Sequence, residues 1–260
     1  TDTHLVPPGG IVHGLDPAQQ LREALADIAA RHADADLVVI TGDLCNDGEP
    51  AAYALLKDLL APLPMPVRLM LGNHDGRPAF REAFPDHPHD EAGFIQSWQD
   101  TPFGRLLFLD SHEAGVIGGM YCEKRLAWLD EALAGAGEQP VTVFIHHPPV
   151  PDGLAHFKNI GLHDGGAVIA RLACHPGGVR HIVFGHLHVQ LTGVSREGIA
   201  FSSGQSCTHR FITEPDAARP WWTGGPPCYR ILMLDEHGFR AYAAEVGQTP
   251  VSQPQECAGP

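Results

Sequence analysis

Four apolar stretches of strand length each end on residues that can bind a metal, and this repetition constrains the chain more than any other feature. The clearest stretch spans residues 37–43, where a run rich in β-branched side chains stops at Gly42 and Asp43. Such runs are typical of buried strands. In open α/β sheets, ligands bind outside the carboxyl ends of the strands, so Asp43 stands where a binding site is expected. Taken alone, an Asp after a strand is more often a turn former.

The other three stretches repeat this pattern. They are residues 67–71 before Gly72-Asn73-His74-Asp75, residues 141–145 before His146-His147, and residues 179–184 before Gly185-His186-Leu187-His188. We therefore expect the polar residues after all four strands to meet at one edge. In an extended backbone, the alternating His186 and His188 would point both imidazoles to one side. Asp2 and His4 have the same spacing, and such pairs favour metal binding.

The composition bounds the fold and the partners of the chain. Its 260 residues suffice for one large α/β domain with a sizeable core. The net charge of −14 argues against a nucleic-acid polymer or an anionic membrane surface as partner, and no apolar run approaches the roughly 18 residues of a membrane span. The six cysteines lack C-x-x-C spacing and no signal peptide is visible, which predicts a cytoplasmic protein with reduced thiols.

Helical and strand patterns alternate along most of the chain. We predict helices from Asp16 as N-cap and over residues 51–60, 78–84, 123–133 and 167–174, with a hairpin over 93–111. From about residue 189 the pattern changes to short strands at 191–194, 199–203, 229–234 and 239–243. The prediction is a single domain over residues 1–246 with this β-rich C-terminal portion, followed by a flexible tail over 247–260.

Two loops are rich in glycine and proline. The loop between His147 and Ala167 is long enough to cover a site. The loop over 211–227 carries Trp221 and Trp222, which could line a substrate mouth, form a subunit contact, or pack on their own domain. Outside the strand ends, the predicted surface or loop histidines are His112, His156 and His163.

The candidate ligands combine imidazole nitrogens with carboxylate and amide oxygens. They are Asp2, His4, Asp43, Asn73, His146, His186 and His188. Such a mixture suits Mn, Fe, Co or Zn and disfavours Ca and Mg, which prefer oxygen throughout. Seven side chains are too many for one ion with open positions, and two divalent ions that share one carboxylate divide them well.

These residues stand in the order of the pattern D-x-H, G-D, G-N-H-[DE], H, G-H-x-H. On these blocks the chain resembles the calcineurin-like metallophosphoesterases. Two further runs look like those of the bacterial class III cyclic nucleotide phosphodiesterases and the related glycerophosphodiesterases. They are Gly42-Asp43-Leu44 with residues 48–53, and Gly72 to Asp75 with Arg77 and Phe80. The resemblance implies an α/β fold, the metallophosphoesterase sandwich of two mixed β-sheets flanked by helices.

The resemblance also implies two metal sites. The first would be formed by Asp2, His4, Asp43 and His188, and the second by Asp43, Asn73, His146 and His186, with Asp43 as the bridge. His146 takes the ligand role because the family's H-x-P pattern begins there, and the reverse assignment to His147 stays open. The strand that normally carries D-x-H is missing from the start of this chain, which suggests trimming and places the first site on a loose terminus.

The implied chemistry is attack on phosphorus by a hydroxide that bridges the two ions, since metal binding lowers the pKa of water. The catalytic residues would be His74 and Asp43. His74 would donate a proton to the leaving alkoxide or bind a phosphoryl oxygen; its alternative role is to orient a ligand. Asp75 would orient His74 or cap the next helix.

Residues on the substrate side would be Asn46 and His209 besides His74. A histidine in a place similar to His209 lies near the phosphate in the glycerophosphodiesterase-like branch. For Asn46 and His209, turn chemistry or a surface position is an equally good interpretation.

Three functions follow in order of preference. The first is a dinuclear phosphodiesterase of small phosphodiesters, with 3′,5′-cyclic nucleotides (cAMP, cGMP) as favoured substrates. The second is a glycerophosphodiesterase or a diesterase of broad specificity, because the ligand blocks do not select the ester. The third is a scaffold that keeps the fold without catalysis, against which the complete ligand set argues. We also expect a homo-oligomer, a dimer or larger, with Trp221-Trp222 and the last strands as the contact.

Overall fold

The computed structural model describes residues 1–248. Its helices are α1 (Pro17–Arg31), α2 (Pro50–Leu60), α3 (Arg77–Ala83), α4 (Glu123–Ala136) and α5 (Gly165–Ala173), with a 3₁₀ turn at Ala155–Phe157. Its strands are β1 (Val38–Ile40), β2 (Val67–Leu69), β3 (Ser97–Thr101), β4 (Gly104–Leu109), β5 (Val141–Ile145), β6 (Val179–Phe184), β7 (Leu191–Val194), β8 (Ala200–Ser203), β9 (Arg210–Phe211), β10 (Trp222–Thr223), β11 (Cys228–Asp235) and β12 (Gly238–Glu245). Every predicted helix and strand is present, with ends shifted by a few residues.

Six strands form a mixed sheet in the order β3-β4-β5-β6-β8-β7. Its four inner strands, β4, β5, β6 and β8, run parallel, and the edge strands β3 and β7 are antiparallel to their neighbours. The parallel arrangement places the carboxyl ends of β5 and β6 side by side. All five residues of β5 are buried, as expected for a central strand covered on both faces.

A second layer packs against this sheet and completes a sandwich. It consists of the parallel pair β1–β2 and the antiparallel hairpin β11–β12. Met70, Phe108, Phe144 and Val183 are buried between the layers. The side chains packed around them from the second layer are Leu37, Val39, Leu232 and Phe239. The predicted α/β sandwich is therefore confirmed, with its second layer divided into two strand pairs.

Helices cover the outside of both layers. The buried residues of α4 and α5 join those of the six-stranded sheet in one apolar cluster, and those of α1 and α2 join β1 and β2 in another. Asp16 caps α1 as predicted, since its side chain accepts a hydrogen bond of 3.0 Å from the Gln19 N–H and Pro17 occupies the first turn.

The first residues are held between two other segments. The Asp2 N–H donates to the Gly42 carbonyl at 3.0 Å, and the Cys207 N–H donates to the Thr1 carbonyl at 3.0 Å. Asp2 is fully buried. The expectation that the first site lies on a loose terminus is wrong, because these long-range hydrogen bonds fix the segment on both sides.

Within residues 1–248, no helix has the length and apolar character needed to cross a membrane. The five cysteines of this range are free thiols. Cys257 and most of the predicted flexible tail, residues 249–260, lie outside the described residues, and the domain boundary at 246 stays a prediction.

Candidate metal centre

The carboxyl ends of two neighbouring strand pairs meet at one edge of the sandwich. Asp43 and Asn73 follow the parallel strands β1 and β2, and His146 and His186 follow the parallel strands β5 and β6. His146 Nε2 lies 3.3 Å from Asp43 Oδ2, so a residue from each layer contacts the other. The structure thus brings together side chains that are more than 100 positions apart in the sequence.

The first group of ligand atoms comes from Asp2, His4, Asp43 and His188. One oxygen or nitrogen from each lies within 4.8 Å of the others, and all four residues are buried. His188 Nε2 is 3.3 Å from Asp2 Oδ1, and His4 Nε2 is 3.7 Å from Asp43 Oδ2. The nitrogens His4 Nε2 and His188 Nε2 lie 3.2 Å apart. Two nitrogens and two carboxylates that converge in this way suit a divalent cation.

The second group lies on the other side of Asp43. Within residues 1–248, the buried His186 Nε2 and Asn73 Oδ1 have no hydrogen-bond partner, and His146 Nε2 has none apart from its approach to Asp43 Oδ2 at 3.3 Å. A buried polar atom without a partner costs roughly 1–3 kcal/mol, and a cation would satisfy all three. The next residue after Asn73 contacts the shared carboxylate, since the His74 N–H donates to Asp43 Oδ1 at 2.9 Å, and the assignment of Asn73 to this group stays a prediction.

The two adjacent histidines differ in their hydrogen bonds. His146 Nδ1 donates to the Thr41 carbonyl at 2.8 Å, which leaves Nε2 directed at Asp43. Both nitrogens of His147 are engaged, Nδ1 with Ser111 Oγ at 2.8 Å and Nε2 with the Ile117 carbonyl at 3.2 Å. The geometry favours His146 over His147 as a metal ligand, because His146 Nε2 faces Asp43 whereas both nitrogens of His147 are bonded elsewhere.

Five of the candidate ligands have left-handed backbone conformations. The φ angles are 54° for Asp2, 45° for His4, 47° for Asp43, 68° for His186 and 54° for His188. The expectation of extended D-x-H and H-x-H pairs is therefore wrong. Residues other than glycine rarely adopt this region, and when they do they concentrate at functional sites. The chain turns sharply at these five residues.

The imidazoles differ in their readiness to take a proton. Burial lowers the pKa of His4 and of His186 to about 3, so both stay neutral and keep a lone pair at pH 7. Burial also opposes a proton on His146, but the Asp43 carboxylate outweighs it and raises the pKa of His146 to about 9. Burial would raise the pKa of Asp43, yet His146 and His4 hold it well below its usual range. A cation at His146 Nε2 would displace this proton.

His74 is the exposed member of the centre. Its ring lies 4.7 Å from the His4 ring, and its Nδ1 donates to the Asn46 carbonyl at 2.7 Å. This bond leaves Nε2 free toward solvent. The Asn46 side chain donates to Asp47, so the contact of Asn46 with the site is a carbonyl that orients His74.

Asp75 does neither of the tasks expected of it. Its buried carboxylate accepts hydrogen bonds from the N–H groups of Leu44, Cys45 and Gly72 and from the Tyr53 hydroxyl, at 2.9 to 3.1 Å. Among the residues that the structure describes, it makes no bond to the His74 ring, and no side chain caps α3. Orienting His74 and capping the helix are therefore both wrong: Asp75 joins the loop that carries Asp43 to the loop that carries Asn73.

His209 lies against the first group of ligands. It is 2% exposed, its ring is 4.6 Å from those of His4 and His188, and its carbonyl accepts a bond from His188 Nδ1. Burial and the neighbouring His188 lower its pKa to about 2. The alternative of a surface position is excluded, and the expected role on the substrate side stays a prediction.

Sequence reasoning missed one residue beside the centre, His13. It lies in the Gly/Pro-rich segment after the D-x-H pair, and its ring is 4.8 Å from that of His209 and stacks on Trp222 at 4.2 Å. Nothing in the local sequence signals this contact. Trp222 packs on its own domain, as one of the three interpretations expected, whereas Trp221 is 67% exposed.

Three further histidines were expected on the surface or in loops. The surface interpretation is wrong for His112, which is 3% exposed because it follows β4 into the interior beside Asp110. His156 and His163 lie in the loop after β5, half-buried and exposed respectively. In this loop the buried Phe157 has its ring 6.1 Å from that of His186, so the loop covers the second group as expected.

The profile of one protein family matches this chain. It is described as calcineurin-like phosphoesterase and matches residues 1–190, a range that contains all seven candidate ligands.

Curated relatives resemble the chain over most of its length. A probable cyclic nucleotide phosphodiesterase of Rhodopseudomonas palustris is 41% identical over 81% of this chain and 77% of the relative. A glycerophosphodiester phosphodiesterase of Enterobacter lignolyticus is 33% identical over 74% of this chain and 69% of the relative. A 3′,5′-cyclic adenosine monophosphate phosphodiesterase of Pseudomonas aeruginosa is 32% identical, with coverages of 72% and 67%.

Among solved structures, a dimetal phosphatase from Danio rerio has a similar fold. The TM-score is 0.65 over 88% of this chain and 89% of the other, at 17% sequence identity. At this identity the match describes the fold alone.

Proposed function

Because the chain belongs to the calcineurin-like phosphoesterase family, we propose that it hydrolyses small phosphodiesters with two divalent metal ions, and that 3′,5′-cyclic nucleotides such as cAMP and cGMP are its substrates. Membership of the family confirms the predicted metallophosphoesterase fold. The prediction of an enzyme, a metal-dependent phosphoric diester hydrolase, agrees with the family and with the names of the curated relatives.

One observation carries the dinuclear proposal: two groups of buried, metal-capable side chains share a single carboxylate. Asp43 faces His4 on one side and His146 on the other, at 3.7 and 3.3 Å. In the proposal, Asp2, His4, Asp43 and His188 hold the first ion and Asp43, Asn73, His146 and His186 hold the second. Mixed nitrogen and oxygen donors favour Mn, Fe, Co or Zn in both positions.

The remaining residues position the substrate and move a proton. Two bound divalent ions would lower the pKa of water and neutralise phosphoryl oxygens. Their positive charge would also offset the negative charge of the chain, which would otherwise repel an anionic substrate. His74 Nε2 faces solvent beside His4, so His74 can bind a phosphoryl oxygen or protonate the leaving alkoxide. The Asn46 carbonyl fixes the His74 ring. His209 lies where it can contact the phosphate from the side of the first ion.

Glycerophosphodiesters are the second candidate substrates. Relatives named for cyclic nucleotides and for glycerophosphodiesters both match the chain, and the ligands contact only the phosphate. We favour cyclic nucleotides because the 41% identical relative is named as a probable cyclic nucleotide phosphodiesterase. The cytoplasmic location and the homo-oligomer stay predictions.

The variant Asn73→Ala tests the proposal. With Mn²⁺ supplied, the wild type should retain two ions per chain and hydrolyse cAMP, whereas N73A should retain about one ion and lose kcat by at least roughly hundredfold. Asn159→Ala, which removes an exposed asparagine outside the centre, is the control and should match the wild type.

Metal content by elemental analysis and turnover of cAMP and glycerophosphocholine are measured on the same samples. Full turnover and two ions in N73A would contradict the ligand assignment. A wild-type protein with no stoichiometric metal and no hydrolysis of either diester would instead indicate the scaffold.

A further inference from the structure

We propose that His13 and Trp222 form an aromatic wall that stacks against the base of a nucleotide substrate, so that the wall selects nucleotides over aliphatic diesters. The inference rests on the proposed function and adds a site for the part of the substrate that the metal ligands do not contact. We use the term aromatic wall for these two side chains.

The aromatic wall lies one ring away from the metal ligands. The His209 ring is 4.6 Å from the rings of His4 and His188, and on its other side it is 4.6 Å from Trp222 and 4.8 Å from His13. The Trp222 ring is 6.1 Å from that of His188. A cyclic nucleotide held at the ions by its phosphate carries its base only one ribose away, which brings the base to the wall.

The wall is held in place before any substrate binds. Trp222 stacks on His13 with ring centroids 4.2 Å apart and planes at 21°, and it packs on Phe211 at 4.0 Å. The pair β9–β10 sets this contact by placing Trp222 opposite Phe211. A preformed surface binds with less loss of conformational entropy than a mobile one.

The backbone at His13 explains how an exposed loop residue reaches this position. Val12 and Leu15 exchange two backbone hydrogen bonds of 2.9 Å, and His13 and Gly14 between them have φ angles of 48° and 81°. Positive φ at both central residues is the signature of a type I′ turn. His13 is the one residue outside the proposed ligands, apart from glycines, that has a positive φ within residues 1–248, and the tight turn presents its ring to Trp222.

The wall remains open to a ligand. Trp222 lies between His13 and Phe211, so the wall offers a ligand the outer face of the exposed His13 ring and the edge of Trp222, which is 43% exposed. Flat π-systems stack on such surfaces, and stacking of a base on an aromatic side chain tolerates any base. A glycerol or choline group has no flat face and gains nothing comparable. The chemistry that fits the wall is therefore a nucleobase.

The test compares two substrates in variants of Trp222. Trp222→Leu keeps an apolar side chain against Phe211 but removes the ring on which His13 stacks, and Trp222→Phe keeps a ring there. With the metal-loaded enzyme, W222L should raise the KM for cAMP roughly tenfold with little change in kcat. The KM for glycerophosphocholine should stay within about twofold of wild type, and W222F should restore most of the affinity for cAMP.

The neighbouring Trp221 supplies the matched control. It is 67% exposed and lies in the same loop, yet makes no ring contact with His13 or His209 among the described residues. Trp221→Ala should leave both KM values unchanged. Adenosine, which has no phosphate, is titrated by calorimetry into the metal-loaded wild type, W221A and W222L. It should bind the wild type and W221A with equal affinity, and W222L about tenfold more weakly.

The outcomes separate this inference from the function beneath it. Adenosine binding that depends on Trp222, in a protein that hydrolyses no diester, would support the wall and refute the proposed function. Unchanged KM for cAMP and unchanged adenosine affinity in W222L would overturn the wall while leaving the phosphodiesterase in place. An equal rise in KM for cAMP and glycerophosphocholine would also overturn it, because a damaged centre, and not base selection, would then explain the result.

Discussion

Arg77 should be far more important for stability than its position on the edge of a surface helix suggests. Its guanidinium forms a bidentate pair with Asp110, with Nε–Oδ2 and Nη2–Oδ1 distances of 3.0 and 3.1 Å. The Asp110 side chain is fully buried, and its oxygens also accept bonds from the N–H groups of Ile95 and His112. Arg77 follows the loop Gly72–Asp75, so the pair fastens this loop to the end of β4.

The expected cost of Arg77→Met follows from the burial of its partner. Methionine preserves much of the apolar stem but leaves the Asp110 carboxylate with two backbone donors and no bonded cation, since the nearby Arg125 guanidinium bonds to Asp110 only at its backbone carbonyl. Breaking a buried ion pair on one side costs about 3–5 kcal/mol. Arg171→Met removes the same group from a pair with Asp130 of similar length, 2.9 Å, in which the two side chains are 31% and 52% exposed. Such exposed pairs contribute about 0–1 kcal/mol.

Urea unfolding of the metal-free proteins at pH 7.5 measures both free energies, and removing metal avoids stabilisation by mass action. The reasoning is refuted if the losses of unfolding free energy in R77M and R171M differ by less than about 1 kcal/mol.

Two further predictions concern backbone geometry and pH. Gly42→Ala should lose the second ion and most turnover, because Gly42 has a φ of 94° and an added Cβ would lie 2.3 Å from His146 Nδ1. The control Gly198→Ala, at a φ of 85° with open space around it, should lower the free energy of unfolding by about 1–3 kcal/mol but keep both ions. Equal metal loss in the two variants would contradict this prediction. Burial lowers the pKa of His181 to about 4, with Arg230 acting in the same direction, so the folded state resists a proton that the unfolded state takes up below pH 6.5. The stability from neutral His181 is thus complete above about pH 6.5 and is lost toward pH 4, by roughly 2 kcal/mol at pH 5. The comparison variant is His181→Gln, whose amide can still reach Ser202. Between pH 7.5 and 5, the free energy of unfolding should fall by roughly 2 kcal/mol more for the wild type than for this variant. Parallel pH profiles of the two proteins would refute the role of His181.

The sequence was sufficient for the fold and for the convergence of the ligand residues because both depend on local, repeated signals. Each apolar run of strand length forms its strand, and each run ends on side chains that can bind a metal. Parallel pairing of β1 with β2 places Asp43 beside Asn73, and that of β5 with β6 places His146 beside His186. Packing of the two layers then brings Asp43 and His146 together. Only the shared edge, and no detailed geometry, had to be inferred.

The errors arose where contacts between distant segments decide the outcome. Asp75 bonds to Leu44 and Cys45, about 30 positions earlier, and no local pattern reveals that a carboxylate will bridge two loops. The same holds for His13, whose partner Trp222 is brought to it by the pairing of β10 with β9. His112 was misread because a histidine just beyond a strand gives no signal of burial.

The misreading of the H-x-H pair as extended has a physical reason that links the site to the fold. His186 and His188 leave their strand in left-handed conformations, where the His186 N–H can donate to Asp2 Oδ1 at 3.0 Å. Likewise the His74 N–H donates to Asp43 Oδ1. Each carboxylate fixes the backbone of a loop that carries other members of the centre, and in the proposed function it would also offer an oxygen to a cation. A left-handed residue costs of order 1–3 kcal/mol, and the surrounding hydrogen bonds offset this cost. Because the same carboxylates hold the strained turns and the proposed ions, a substitution that moves one loop should change the geometry of both groups of ligands.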